Sequence, residues 1–82
     1  MITKTFFITL VKDEELYQKI GANIARLREQ KGYSQAEFAL RCGKDRQNIN
    51  RLEKGRQNAS LQLLNLLAHV LDVPIKDLFD FS

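Results

Sequence analysis

The stretch Ser34-Gln35-Ala36-Glu37-Phe38-Ala39-Leu40-Arg41-Cys42-Gly43-Lys44-Asp45-Arg46-Gln47-Asn48-Ile49-Asn50-Arg51-Leu52-Glu53-Lys54-Gly55 decides the fold. Ser34 is a side-chain acceptor placed just before a helix-forming run, and Glu37 three residues on completes a capping box, so a helix is predicted over residues 35–41. Gly43 ends it by allowing a positive φ. Asp45 then caps a second helix over residues 46–54, closed by Gly55. Two short helices separated by a few residues around a glycine cannot lie side by side; they must cross steeply. Ala39 falls where they meet, where a larger side chain would push them apart. Phe38, Ile49 and Leu52 are the apolar plugs. With Ile49 and Leu52 at i, i+3 facing inward, Arg46, Gln47, Asn50, Arg51 and Lys54 are left to point outward.

Upstream, Leu16, Ile20, Ile24 and Leu27 recur at helical spacing and form one stripe of a helix over residues 14–31. Asp13 is its candidate N-cap, Glu14 and Glu15 suit the positive end of the helix dipole, and Gly32 closes it. Downstream, Ser60 opens a fourth helix running to Leu71, and Pro74 stands at the first position of a short fifth one. The fourth helix is apolar on two faces. Leu61, Leu64, Leu67, Ala68 and Leu71 form the expected core stripe; Leu63, Leu66 and Val70 form a second, which calls for a second neighbour. One candidate neighbour is the same helix in a second subunit. Another is the N-terminal segment of residues 2–11, rich in β-branched and aromatic residues and a candidate β-strand. That segment could pair with its two-fold mate across a homodimer, extend the first helix, or remain a tail.

At 82 residues the chain is one small domain, which excludes a multidomain enzyme and makes the core marginal. A single cysteine, Cys42, rules out an internal disulfide, and a single histidine, His69, leaves too few ligands for a structural zinc. No cofactor or metal is expected. Support for the core is therefore sought in a second subunit. The formal net charge is +3, and it is unevenly spread. Residues 1–33 carry six basic and four acidic residues, residues 34–58 six and three, and residues 59–82 one and three. The basic excess of the middle segment is where an anionic partner would dock, and the acidic end would stay away from it. The apolar run Phe6 to Val11 is too short for a membrane span and has no cleavage site behind it, so a cytoplasmic protein without a membrane partner is expected. No nucleophile–base–orienter set or phosphate-cradling glycine loop is present, which argues against an enzyme.

Over residues 16–79 the chain resembles the phage-repressor and Cro-type, or XRE-like, helix-turn-helix family. The matching residues are Ile20-Gly21, Ile24, Leu27-Arg28, Lys31-Gly32, Ser34-Gln35, Phe38-Ala39, Gly43, Ile49, Leu52-Glu53 and Gly55, continued by Ser60-Leu61, Leu64, Leu67-Ala68, Leu71, Val73 and Leu78-Phe79. Lys44, where the family favours a small apolar residue, and Ala59, where it favours Pro, depart from the pattern. Lys44 can bury its stem and extend its amine towards a phosphate. The resemblance implies an all-α, five-helix, repressor-like helix-turn-helix domain over residues 13–82, with the motif at 35–54, the recognition helix at 46–54, and residues 1–12 as an N-terminal extension.

The resemblance further implies double-stranded DNA as partner and a dimeric transcriptional regulator, of controller or Cro-like stand-alone type. Arg46, Gln47 and Arg51 would read bases, joined by Asn50, since Arg matches guanine and Gln or Asn matches adenine. Gln35 would touch a phosphate and brace the recognition helix, and Lys54, Arg56 and Asn58 would follow the DNA backbone with Lys44. Arg28 and Glu53 would form a partly buried ion pair. Leu63, Leu66, Val70, Phe6 and Ile8 are the candidate dimer contacts. The rival reading is an antitoxin or adaptor module whose apolar stripe and N-terminal segment bind a different protein.

Overall fold

The computed structural model describes the backbone of residues 2–81 and the side chains of residues 13–81. Over that range it is helical: α1 (Ile2–Gln30), α2 (Gln35–Cys42), α3 (Arg46–Glu53), α4 (Leu61–Leu71) and a final 3-10 helix (Ile75–Phe79). Three helices begin at the side-chain acceptors legible in the sequence. Ser34 Oγ accepts from the Glu37 amide at 3.0 Å, Asp45 Oδ1 from the Asn48 amide at 2.7 Å and Ser60 Oγ from the Leu63 amide at 3.0 Å. The carboxylate of Glu37 turns to Arg41 one turn on, its Nη2 at 3.0 Å, rather than back to the cap as a capping box would have it. Gly43, at φ 66°, ends α2, with its N–H on Leu40 O and the Lys44 N–H on Ala39 O.

The N-terminal segment is not a strand. Residues 2–12 continue the backbone of α1, so that helix begins at Ile2 and Asp13 lies inside it instead of capping it. A lone strand would leave its N–H and C=O groups without partners, whereas extending an existing helix pairs them within the segment and needs no new nucleus. No Pro or Gly stands between Ile2 and Lys12 to stop it. The side chains of Phe6 and Ile8 lie outside the described residues.

The core gathers Ile20 and Ile24 from α1, Phe38, Ala39 and Cys42 from α2, Ile49 and Leu52 from α3, Leu64, Leu67, Ala68 and Leu71 from α4, and Leu78. Leu27 packs against it only partly buried, and two residues assigned to the core stripes are exposed. Leu16, one turn before the first buried residue of α1, is 39% exposed, and Leu61, the first residue of α4, is 70% exposed because the core begins only a turn further along. The fifth helix is a 3-10 turn, and Pro74 precedes it as its N-cap. It is tied to α1 by the buried Asn23, whose Nδ2 donates to Asp77 O at 2.7 Å.

What positions α3 is backbone proximity. A Cβ on Gly21 of α1 would run into the carbonyl oxygens of Leu52 and Glu53, so only glycine lets α1 seat against the end of α3. Gly55, at φ 70°, turns the chain immediately after that contact, with the Gln18 backbone close against it.

Candidate nucleic-acid interface

Helix α3 divides cleanly. Ile49 and Leu52 are buried beneath it, while Arg46, Gln47 and Arg51 are exposed and Asn50 is half-buried. The four polar residues line one open concavity. Lys44 at its entry and Lys54, Arg56 and Asn58 at its exit are exposed as well. The structure thus brings the proposed base-reading residues onto one surface and flanks it with cations at both ends.

Acidic groups in this region are engaged within the protein. Asp45 is turned onto its own helix as a cap. Glu53, at the end of α3, sits in a hydrogen-bonded cluster: Arg28 donates Nε to Oε2 at 2.6 Å and Nη2 to Oε1 at 3.1 Å, and Gln35 Nε2 donates to Oε1 at 2.9 Å. Arg28 also donates Nη1 to Tyr33 O at 2.8 Å. The hydrogen bonds and charge of Glu53 hold the Arg28 guanidinium above its ordinary pKa against the opposing effect of burial. A carboxylate that would otherwise repel phosphate is thereby neutralised and tied to α1.

Gln35 is half-buried and has two partners on α3. Besides Glu53, its Oε1 accepts from Asn50 Nδ2 at 3.4 Å. The first residue of α2 therefore braces two successive turns of α3, and Asn50 keeps its Oδ1 and second amide hydrogen for other partners.

One side chain that contacts this surface escaped the sequence reading. Gln57, in the loop after α3, donates Nε2 to Asn48 Oδ1 at 2.7 Å and accepts at Oε1 from Arg51 Nε at 3.3 Å. Nothing periodic marks it; the only sequence signal is a long amide close behind a helix that presents Asn48 and Arg51 at i, i+3.

Away from α3, Leu63, Leu66 and Val70 are half-buried against the edge of the core, and Leu66 borders an open groove with Val73, Pro74 and Ile75. Among the described residues no group of three or more His, Cys, Asp or Glu could hold a metal, and no helix is long and apolar enough to cross a membrane.

A helix-turn-helix family model matches residues 24–78. The HTH-type transcriptional regulator y4dJ of Sinorhizobium fredii is 39% identical over 59 residues, covering 72% of this chain and 77% of that protein. SinR of Bacillus subtilis, also an HTH-type transcriptional regulator, is 37% identical over 62 residues, 74% of this chain and 56% of SinR. Among solved structures, the restriction-modification controller protein C.AhdI from Aeromonas hydrophila superimposes with a TM-score of 0.77 at 35% identity, over 80% of this chain and 96% of that one. The clp gene regulator ClgR from C. glutamicum gives 0.76 at 28% identity, over 78% and 82%.

Proposed function

This chain belongs to the XRE-like helix-turn-helix family of transcriptional regulators, and from that premise we propose that it is a homodimeric, sequence-specific DNA-binding regulator reading a pseudo-palindromic operator. The observation that carries the reading is the outer face of α3, where Arg46, Gln47, Asn50 and Arg51 share one open surface above a buried apolar floor. In the proposal this face enters the major groove. Arg46, Gln47, Asn50 and Arg51 meet base edges, and Gln35, Lys44, Lys54, Arg56 and Asn58 meet the sugar–phosphate backbone. Each subunit occupies one half-site, the two about 34 Å apart.

Dimerisation is proposed through α4. Leu63, Leu66 and Val70 remain half-exposed after the core of the domain is filled, and Leu66 borders a groove of mixed lining in which Gln62, Asn65 and His69 accompany Val73 and Ile75. The end of the chain carries Asp72, Asp77 and Asp80 and suits a surface turned away from phosphate. Similarity to C.AhdI over nearly the whole of that protein supports a controller-like role.

Sedimentation of the purified protein, together with selection from a pool of random duplexes, tests the proposal. The expected result is a dimer that enriches a sequence with two-fold symmetry. A monomer that binds no duplex at low salt would overturn it in favour of an adaptor that uses the same apolar stripe for another protein.

A further inference from the structure

We propose that Gln57 is a specificity-determining positioning residue, setting the guanidinium of Arg51 for end-on readout of one guanine; this rests on the reading of Arg51 as a base contact. The chain reverses at Gly55, at φ 70°, and the Arg56 N–H donates to Arg51 O at 3.0 Å, so residue 57 runs back alongside the outer turns of α3. There the Gln57 amide is used at both ends. Its donor is held by Asn48 Oδ1 at 2.7 Å, which fixes which way the amide faces, and its acceptor is thereby presented to Arg51 Nε at 3.3 Å. The residue is half-buried and borders the small apolar hollow lined by Tyr17, Leu52, Ala59 and Leu64.

The consequence lies in the geometry of arginine. A guanidinium can approach guanine O6 and N7 side-on, through Nε and one Nη, or end-on, through both Nη groups. With Nε engaged by Gln57, the end-on fork is the one left free. Arg51 is exposed, and an exposed arginine without such a partner samples many rotamers that must be frozen on binding. Gln57 limits that freedom before DNA arrives, which raises affinity for the matching base without touching it.

The experiment is selection from random duplexes followed by competition binding, using the full chain as wild type, Arg51→Ala, Gln57→Ala, Gln57→Glu and the Arg51→Ala/Gln57→Ala double variant. Arg51→Ala is expected to flatten one base pair of each half-site. Gln57→Ala should weaken preference at that same base pair by about three- to tenfold, the scale of one immobilised side chain, and leave binding to random DNA unchanged. The double variant should match Arg51→Ala alone. Gln57→Glu keeps an acceptor for Nε, and the Asn48 amide can turn over so that its Nδ2 donates to the second carboxylate oxygen; the base preference should be retained, while the added charge lowers affinity for every duplex alike. The inference is overturned by a Gln57→Ala protein that keeps full preference, alters a base pair Arg51→Ala does not touch, or loses affinity equally on all duplexes, the last being the mark of a phosphate contact. A wild type that enriches no motif, or an Arg51→Ala protein that retains every position, would remove the base-reading role of Arg51 and this inference with it.

Discussion

Arg28 of α1 and Glu53 of α3 meet as a bidentate pair, Nε to Oε2 at 2.6 Å and Nη2 to Oε1 at 3.1 Å, with side chains only 12% and 5% exposed. Burial makes the two partners interdependent. Arg28→Ala would leave the Glu53 carboxylate out of water with only Gln35 to satisfy it, and the expected loss is about 3–5 kcal/mol in urea unfolding. Replacing both, as Arg28→Met with Glu53→Leu, removes the stranded charge along with its partner and should recover most of that loss. A double variant as unstable as Arg28→Ala would mean that the pair carries more than charge compensation.

Gly21 and Gly32 should respond differently to substitution, because they are needed for different reasons. At Gly21 an added Cβ meets the carbonyl oxygens of Leu52 and Glu53, which are backbone and cannot rotate away, so Gly21→Ala must lift α1 off α3 and should lose about 1–3 kcal/mol. At Gly32, φ is 85° but the space is open, so the obstacle there is conformational. Gly32→Ala should lose about 1–2 kcal/mol and Gly32→Asn, which tolerates the left-handed region, distinctly less. Asn at Gly21 should be no better than Ala. Chemical denaturation of the four variants separates the two causes.

Burial pushes the Cys42 thiol up from its ordinary 9.0 to about 11, with Lys44 pulling weakly the other way. The sign follows from proton counting. Above pH 9 the unfolded chain gives up the thiol proton while the folded chain keeps it, so the unfolded state binds fewer protons and stability falls as pH rises towards 11. The loss assigned to this group is roughly 1–3 kcal/mol across that window. Because lysines and tyrosines titrate there too, the measurement is the difference between wild type and Cys42→Ala followed from pH 8 to 11. A pH profile identical in the two proteins would remove the thiol from the balance. The same burial should make Cys42 slow to react with a thiol reagent at pH 8 in the native protein.

Ser34, Asp45, Ser60 and Gly43 were legible from the sequence because capping and a left-handed turn are settled within three or four residues, where sequence distance and spatial distance agree. Leu16 and Leu61 show where that agreement ends. Both lie on correctly phased stripes, yet a stripe says which way a side chain faces and not whether another element reaches that far along the helix. The N-terminal segment is the opposite case: its β-branched and aromatic content argued for a strand, but with no second strand beside it, continuation of α1 satisfies the backbone and overrides propensity. Glu37 kept its place at the start of α2 and lost its expected partner, since Arg41 four residues on offers an opposite charge. Gln57 was invisible for a different reason. Its value depends on the chain doubling back at Gly55, and no local pattern states where a loop will go.

The division of the α3 face into base and backbone contacts can be tested by salt. On the proposed assignment Lys54 meets phosphate, so Lys54→Ala should weaken binding to cognate and random duplexes to the same degree and reduce the slope of log K against log salt by about 1. Arg46 is assigned to a base edge. Arg46→Ala should lose about 1–3 kcal/mol on the selected site and relax preference at one base pair, with a much smaller change on random DNA. Both side chains are exposed and carry the same charge, so their number alone cannot separate the roles. Titrations with both duplexes at several salt concentrations can. Equal losses on cognate and random DNA for Arg46→Ala would move that residue to the phosphates and leave base choice to Gln47, Asn50 and Arg51.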